Sequence, residues 1–145
     1  MTGPVLPPLV LLAAGESKRM GRPKGLVPCG GIPWLEHQVN AFCGALGGRV
    51  LVVVGYHKAE YFAQMPWLGA GRSDWSDFAG GRVRVVENPA PQWGQFSSLQ
   101  CGIGRLIEEG EKACLLLPLD APLAGTEVLS ALVDGARPES WVAIP

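Results

Sequence analysis

Apolar residues in this chain fall into short unbroken runs. Leu9-Val10-Leu11-Leu12, the stretch 50–54 and Leu115-Leu116-Leu117 are each bounded by Gly, Pro or charge. Such runs, without alternating polar positions, read as strands covered on both faces. Between them apolar residues recur at helical spacing: Leu35, Val39, Phe42 and Leu46, then Leu99, Ile103, Leu106 and Ile107. The pattern predicts strands over 9–13, 49–54, 82–86 and 113–117, with a fifth beginning near Trp141. It predicts helices over 35–46, 58–64, 97–109 and 127–134, the last capped by Thr126. Gly44, Gly47 and Gly48 close the first helix. Residues 66–81 hold Trp67, Trp75, several Gly and mixed charge without a period, and are expected to form a surface loop. Strands alternating with helices imply an α/β domain with a mainly parallel sheet.

Composition narrows the function classes. The 145 residues are 48% hydrophobic and 17% charged, which describes a folded domain with a real core. Net charge is −1, so no overall basic field exists to hold nucleic acid. No apolar run is long enough for a membrane span, and Pro4, Pro7 and Pro8 with no preceding cation argue against a signal peptide. Cys29, Cys43, Cys101 and Cys114 form neither CxxC nor zinc spacing. They read as reduced thiols in a cytoplasmic compartment, with Cys43 and Cys114 in the core and Cys29 in a loop.

Chemistry concentrates where the first strand ends. Ala13-Ala14-Gly15 is followed by Lys18, Arg19, Arg22 and Lys24, spaced by Gly21, Pro23 and Gly25. Small residues let a ligand approach the backbone, and free N–H groups with four cations suit a polyphosphate. A solvated basic turn is the plainer reading, but it needs no ordered spacing. The loop has neither the Walker A pattern nor GxGxxG. A second cluster is NPAPQWGQFSSL over 88–99, where Gly94 permits close approach and Ser97 and Ser98 open the next helix. The plainer reading there is a serine N-cap after a Pro-rich loop. A third is LLLPLDAP over 115–122, where Asp120 follows an apolar strand, as a ligand-site carboxylate or a cap of the next turn. Carboxyl ends of parallel strands share a crevice, which puts Asp120 opposite the first loop. His37 and His57 lack a telling partner and read as surface or structural histidines.

Leu12-Ala13-Ala14-Gly15, Ser17, Arg19-Met20-Gly21 and Lys24 match, in order, the LAAGxSxRMGxxK signature, so the chain resembles the MobA-like nucleotidyltransferases. The 88–99 stretch resembles that family's NPxxxxGxxxSL, and Asp120 with Pro122 its P-D-x-P context, here with Leu119 inserted. The resemblance implies a Rossmann-like three-layer sandwich with a mainly parallel twisted sheet. It implies nucleotide binding by Leu12, Ala13, Ala14, Gly15, Ser17, Arg19, Lys24, Gly94 and Ser98. It implies catalytic roles for Lys24, Arg19 and Asp120, with Asp120 as the ligand of a Mg²⁺ cofactor. Glu16 occupies the variable position and is expected to face solvent. Ala14 and the 94–98 segment resemble the cytidylyl-transferring members, closest in motif to molybdenum cofactor cytidylyltransferase. That implies CTP over GTP as the NTP, a molybdopterin-type phosphate acceptor and a molybdoenzyme maturation partner. The family's Gly-His-Pro stretch does not occur, so the expectation is a nucleotidyltransferase domain over 1–145 that lacks its carboxyl-terminal part.

Two alternatives stay open at this level. One is a sugar- or alditol-phosphate nucleotidyltransferase. The other is a non-catalytic nucleotide-binding module, against which the joint presence of Lys24 and Asp120 argues. A dinucleotide-binding domain would need GxGxxG and an acidic residue after the second strand, where Gly55-Tyr56-His57 stands.

Overall fold

Strand β1 (Leu9–Ala13) is buried along its whole length and pairs on both sides, as an apolar run without alternation requires. The structure is a computed structural model, and it describes residues 6–17 and 21–135. After β1 come a small hairpin of β2 (Pro28–Cys29) and β3 (Ile32–Pro33), then α1 (Trp34–Leu46) and β4 (Arg49–Val54). Helices α2 (Lys58–Gln64) and α3 (Pro66–Gly69) lead to β5 (Ser76–Phe78) and β6 (Gly81–Glu87). Helix α4 (Gln95–Glu108), β7 (Leu115–Pro118) and α5 (Thr126–Gly135) complete the described chain.

The main sheet runs β5-β6-β4-β1-β7. All neighbours are parallel except β5, which is antiparallel to β6. Strand order therefore reverses beside β1, which lies between the earlier-paired β4 and the late β7. In open α/β sheets a ligand crevice opens at the carboxyl ends of strands at such a reversal.

The pleat sends alternate residues to two cores. Leu9, Leu11 and Ala13 join Val50, Val52 and Val54 under Leu35, Val39 and Phe42 of α1 and Tyr61, Met65 and Leu68 of α2–α3. Val10, Leu12 and Ala14 join Leu51 and Val53 under Leu106 of α4. Helices thus cover both faces, and the fold is the three-layer α/β sandwich expected of a Rossmann-like domain. Among the described residues no helix is long and apolar enough to cross a membrane.

Helix α4 buries Ser98, Gly102 and Leu106, whereas Ile107 is 65% exposed. Ile107 shares the apolar helical spacing of Leu99, Ile103 and Leu106 but turns to solvent. The real contact runs through Gly102, where a Cβ would lie 2.9 Å from Val10 Cγ1 and 3.2 Å from Val53 Cγ2. Gly102→Leu should therefore cost about 1–3 kcal/mol by overpacking, or more where the sheet cannot yield, read as a lower denaturation midpoint.

Four sequence expectations shift. Residues 66–81 are not one loop. Trp67 stacks on Phe78 with centroids 3.9 Å apart, and its indole N–H donates to Glu36. Ala79 (φ 51°) and Gly80 (φ 88°) then form a tight turn that folds β5 back on β6. Strand β7 starts at Leu115 rather than 113, so Cys114 stands before it, half-buried, with burial pushing its thiol pKa up. Cys29 lies on the short β2 strand rather than in an open loop. Cys43 is buried as expected, and that burial pushes its thiol pKa up to about 11. All four cysteines are free. The strand expected near Trp141 lies outside the described residues.

Candidate active site

The carboxyl ends of the four parallel strands are tied to one another. Leu119 N–H, just past β7, donates to Leu12 O at 3.2 Å. Tyr56 N–H, past β4, donates to Ala14 O at 3.4 Å, and Asn88 N–H, past β6, donates to Val54 O at 2.8 Å. The loops leaving these ends enclose a cleft of about 530 Å³. Leu12, Ala14, Gly15, Glu16 and Ser17 line it from β1, Lys24 from the following turn, and Leu119 and Asp120 from β7. Pro91, Gln92, Gly94, Gln95 and Ser98 form the wall from β6, and Tyr56 and Tyr61 the wall from β4. Gly55 is the tight point, since a Cβ there would lie 2.9 Å from both Ala14 Cβ and Pro91 Cβ.

Ala13 does not face this cleft. It is 1% exposed and packs in the larger core, because the pleat turns it away while presenting Leu12 and Ala14. Ser17 adopts a left-handed backbone (φ 59°), and its hydroxyl accepts the Lys24 N–H at 3.1 Å. That closes the loop on itself and fixes where the Lys24 side chain starts. Glu16 is exposed at the cleft edge. Arg19 lies outside the described residues.

Lys24 Nζ sits 3.4 Å from Asp120 Oδ2, bringing together residues 96 apart in sequence. Their side chains are 39% and 63% exposed. An ion pair this open is worth under about 1 kcal/mol and separates at little cost. The Asp120 carboxylate is therefore not buried, as its place after an apolar strand had suggested. Among the described residues no three His, Cys, Asp or Glu side chains cluster as a metal cage. One accessible carboxylate on the rim of this cleft instead suits a hard cation of the Mg²⁺ type, which keeps most of its own waters and needs few protein ligands.

Helix α4 starts at Gln95, two residues earlier than expected, so Ser97 and Ser98 lie in its first turn. Asn88 Nδ2 donates to both hydroxyls at 2.9 Å, and Asn88 Oδ1 accepts the Ala90 N–H at 2.9 Å. Asn88 is 5% exposed and Ser98 3%, so this is a buried knot that shapes the wall. Gly94 caps the helix at φ 93° and ψ −177°, a conformation open essentially to glycine alone. At the end of β6, Lys58 hydrogen-bonds Glu87 at 3.2 Å and holds its carboxyl below the usual range, with Arg72 adding at 2.8 Å.

Tyr61 escaped the sequence reading. It is fully buried, and its hydroxyl accepts the Gly25 N–H at 3.2 Å, bracing the turn that carries Lys24. Nothing local in the sequence signals this contact across 36 residues. A Cβ at Gly25 would lie 2.8 Å from Tyr61 Cε1, so the pairing needs glycine. His57 is likewise engaged, Nε2 to Glu16 O at 2.6 Å and Nδ1 to Glu60 at 3.1 Å. Tyr61→Phe should destabilise by about 1–3 kcal/mol by orphaning the buried Gly25 N–H, read by chemical denaturation. Burial raises the Tyr61 phenol pKa above the ordinary value of 10.0. Its protonated form thus adds stability that is complete below that value and lost as pH rises through the folded pKa. The alkaline loss should be smaller in Tyr61→Phe, measured as unfolding midpoint against pH.

A mainly parallel sheet with a cleft of about 530 Å³ at its reversal, carrying a lysine and a carboxylate on the rim, defines an α/β domain with a ligand-sized site at its strand ends. Residues 9–145 match the MobA-like NTP transferase domain, and the chain belongs to that family. Among curated proteins it is similar to the bifunctional protein GlmU of Mycolicibacterium paratuberculosis, at 28% identity over 93% of this chain and 26% of that protein. Among solved structures it is similar to Rv0371c from Mycobacterium tuberculosis H37Rv, with TM-score 0.65, 25% identity and coverage of 92% of this chain and 61% of that one. Rv0371c is also known as a complex with manganese. A nucleotidyl transferase from Methanothermobacter, Mth528, shares the fold with TM-score 0.66 and 23% identity over 91% of this chain and 58% of that one. The chain thus spans about a quarter of the length of the curated relative, whose matched share is 26%.

Proposed function

We propose that this chain moves a nucleotidyl group from an NTP to a phosphate monoester and releases pyrophosphate. The observation that carries this is the meeting of Lys24 and Asp120 at 3.4 Å on the rim of the cleft. Family membership supports it independently.

Such a transfer asks little covalent work of the protein. Charge must be neutralised, the α-phosphorus presented and the attacking oxygen held in line. Main-chain groups of the Gly15–Ser17 turn, with Arg19, hold the terminal phosphates. Lys24 follows the charge that grows at the α-phosphate, from a backbone position already fixed by Ser17. Asp120 would hold Mg²⁺, which would supply charge neutralisation at the phosphates. The base lies against Leu12, Ala14 and Gly94, with Gln92 and Gln95 as polar groups on that wall. An attacking phosphate is already anionic, so no general base is needed. The engagement of both His57 nitrogens with Glu16 and Glu60 is consistent with that.

The nucleotide is CTP rather than GTP, and the acceptor molybdopterin-type, on the strength of Ala14 and the 94–98 segment. That acceptor implies a molybdoenzyme maturation partner, and four reduced cysteines fit a cytoplasmic setting. The test is pyrophosphate release from each NTP with Mg²⁺ against molybdopterin, sugar phosphates and alditol phosphates. Turnover with CTP and molybdopterin is expected. Turnover with sugar or alditol phosphates alone would reassign the acceptor. Nucleotide binding without release of pyrophosphate against any acceptor would make the chain a binding module.

A further inference from the structure

Two side chains of α1 grip the loop that carries Asp120. Trp34 Nε1 donates to Leu119 O at 2.5 Å, and Gln38 Nε2 donates to Ala121 O at 2.6 Å. The carbonyls on either side of Asp120 are thus both held from one helix. Gln38 Oε1 also accepts the Leu123 N–H at 3.3 Å. Gln38 is 1% exposed, and its amide sits one way only. Flipped, it would set oxygen against oxygen and N–H against N–H. Trp34 and Gln38 lie one helical turn apart on the same face. Trp34 is further stacked on His37, with centroids 5.5 Å apart and planes 12° from parallel. Leu35, Val39 and Phe42, all fully buried, anchor the helix beneath them.

Among the described residues the Asp120 side chain has no comparable support of its own. It is 63% exposed and touches Lys24 at 3.4 Å across an open pair. Its direction therefore follows from the backbone of the Leu119–Leu123 segment. A carboxylate that must meet a cation is sensitive to half an ångström of misplacement. We infer that Trp34 and Gln38 are positioning residues for Asp120, and that α1 thereby sets the affinity of the cleft for a divalent cation. This rests on the reading of Asp120 as the metal-bearing group. The clamp is distinct from packing, because it acts through two carbonyl contacts that a conservative change removes.

The experiment uses the full chain, Mn²⁺ as the probe and electron paramagnetic resonance as the readout, with a non-hydrolysable CTP analogue present. Trp34→Phe keeps an aromatic ring but loses the pyrrole half of the indole with its N–H, and Gln38→Met keeps the length and removes both of its contacts. Each should weaken Mn²⁺ by about ten- to a hundred-fold, the range for supporting groups around a metal ligand. Affinity for the analogue without metal should stay unchanged. In an Asp120→Asn background neither change should weaken Mn²⁺ further, since the group they position is gone. Should Gln38→Met fail to fold, Trp34→Phe carries the test alone. Wild-type Mn²⁺ affinity in folded Trp34→Phe would overturn the inference, as would equal weakening in the Asp120→Asn background. If the unaltered chain binds no Mn²⁺ beside the analogue, the metal reading of Asp120 falls and the inference with it.

Discussion

Lys24→Ala should lower kcat for pyrophosphate release by about 10²–10³-fold, the scale for removing one group aimed at charge that develops in the transition state. Folding should barely change. The Lys24 side chain is 39% exposed and its ion pair is weak, while the turn itself is held through Lys24 N–H and Ser17. The loss should fall mainly on kcat, because the ammonium follows charge that grows only as the α-phosphorus is attacked. Lys24→Arg should rescue poorly, since a planar fork does not replace a compact point charge at one oxygen. Steady-state kinetics with a matched thermal melt decide the matter. A melt that falls with the rate would place Lys24 in the scaffold instead.

Asp120→Asn should remove metal-supported turnover by a similar factor, about 10²–10³. The amide keeps the shape and loses the charge that holds a hard cation. Because Asp120 is 63% exposed, stability should move by less than about 1 kcal/mol. Nucleotide binding without metal should hold or strengthen, since Lys24 is freed from its partner at 3.4 Å. Rates titrated against Mg²⁺, with nucleotide affinity measured in chelator, separate these outcomes. If Lys24→Ala and Asp120→Asn both retain wild-type rates, the nucleotidyl-transfer mechanism is wrong.

Much of the scaffold was legible because it is local. The strands over 9–13 and 49–54 and the helix over 58–64 fall at their predicted bounds. An unbroken Val/Leu run fits little else than a doubly covered strand. The two cores follow from the pleat once those strands are placed. What failed was structure whose stability comes from elsewhere in the chain. Helix α3 and strand β5 are four and three residues long. Neither holds itself. Trp67 needs Glu36 and Phe78, and β5 needs β6 beside it. The Phe78-Ala79-Gly80-Gly81 turn was the one local trace of that hairpin.

The sequence by itself determined the class of the domain, and it pointed to the loop after β1 and to Asp120, which the structure brings to one cleft. Those are properties of residue type and short spacing. Tertiary structure alone decided that Ala14 and not Ala13 faces the cleft, since the pleat gives neighbours opposite faces. It alone decided that Tyr61 braces Gly25, that Asn88 locks Ser97 and Ser98, and that Trp34 and Gln38 hold the segment around Asp120. The physical reason is the same in each case. Hydrogen bonds between distant residues depend on strand order and helix placement, which are settled by burying both faces of the sheet at once, and no local window of sequence contains that condition.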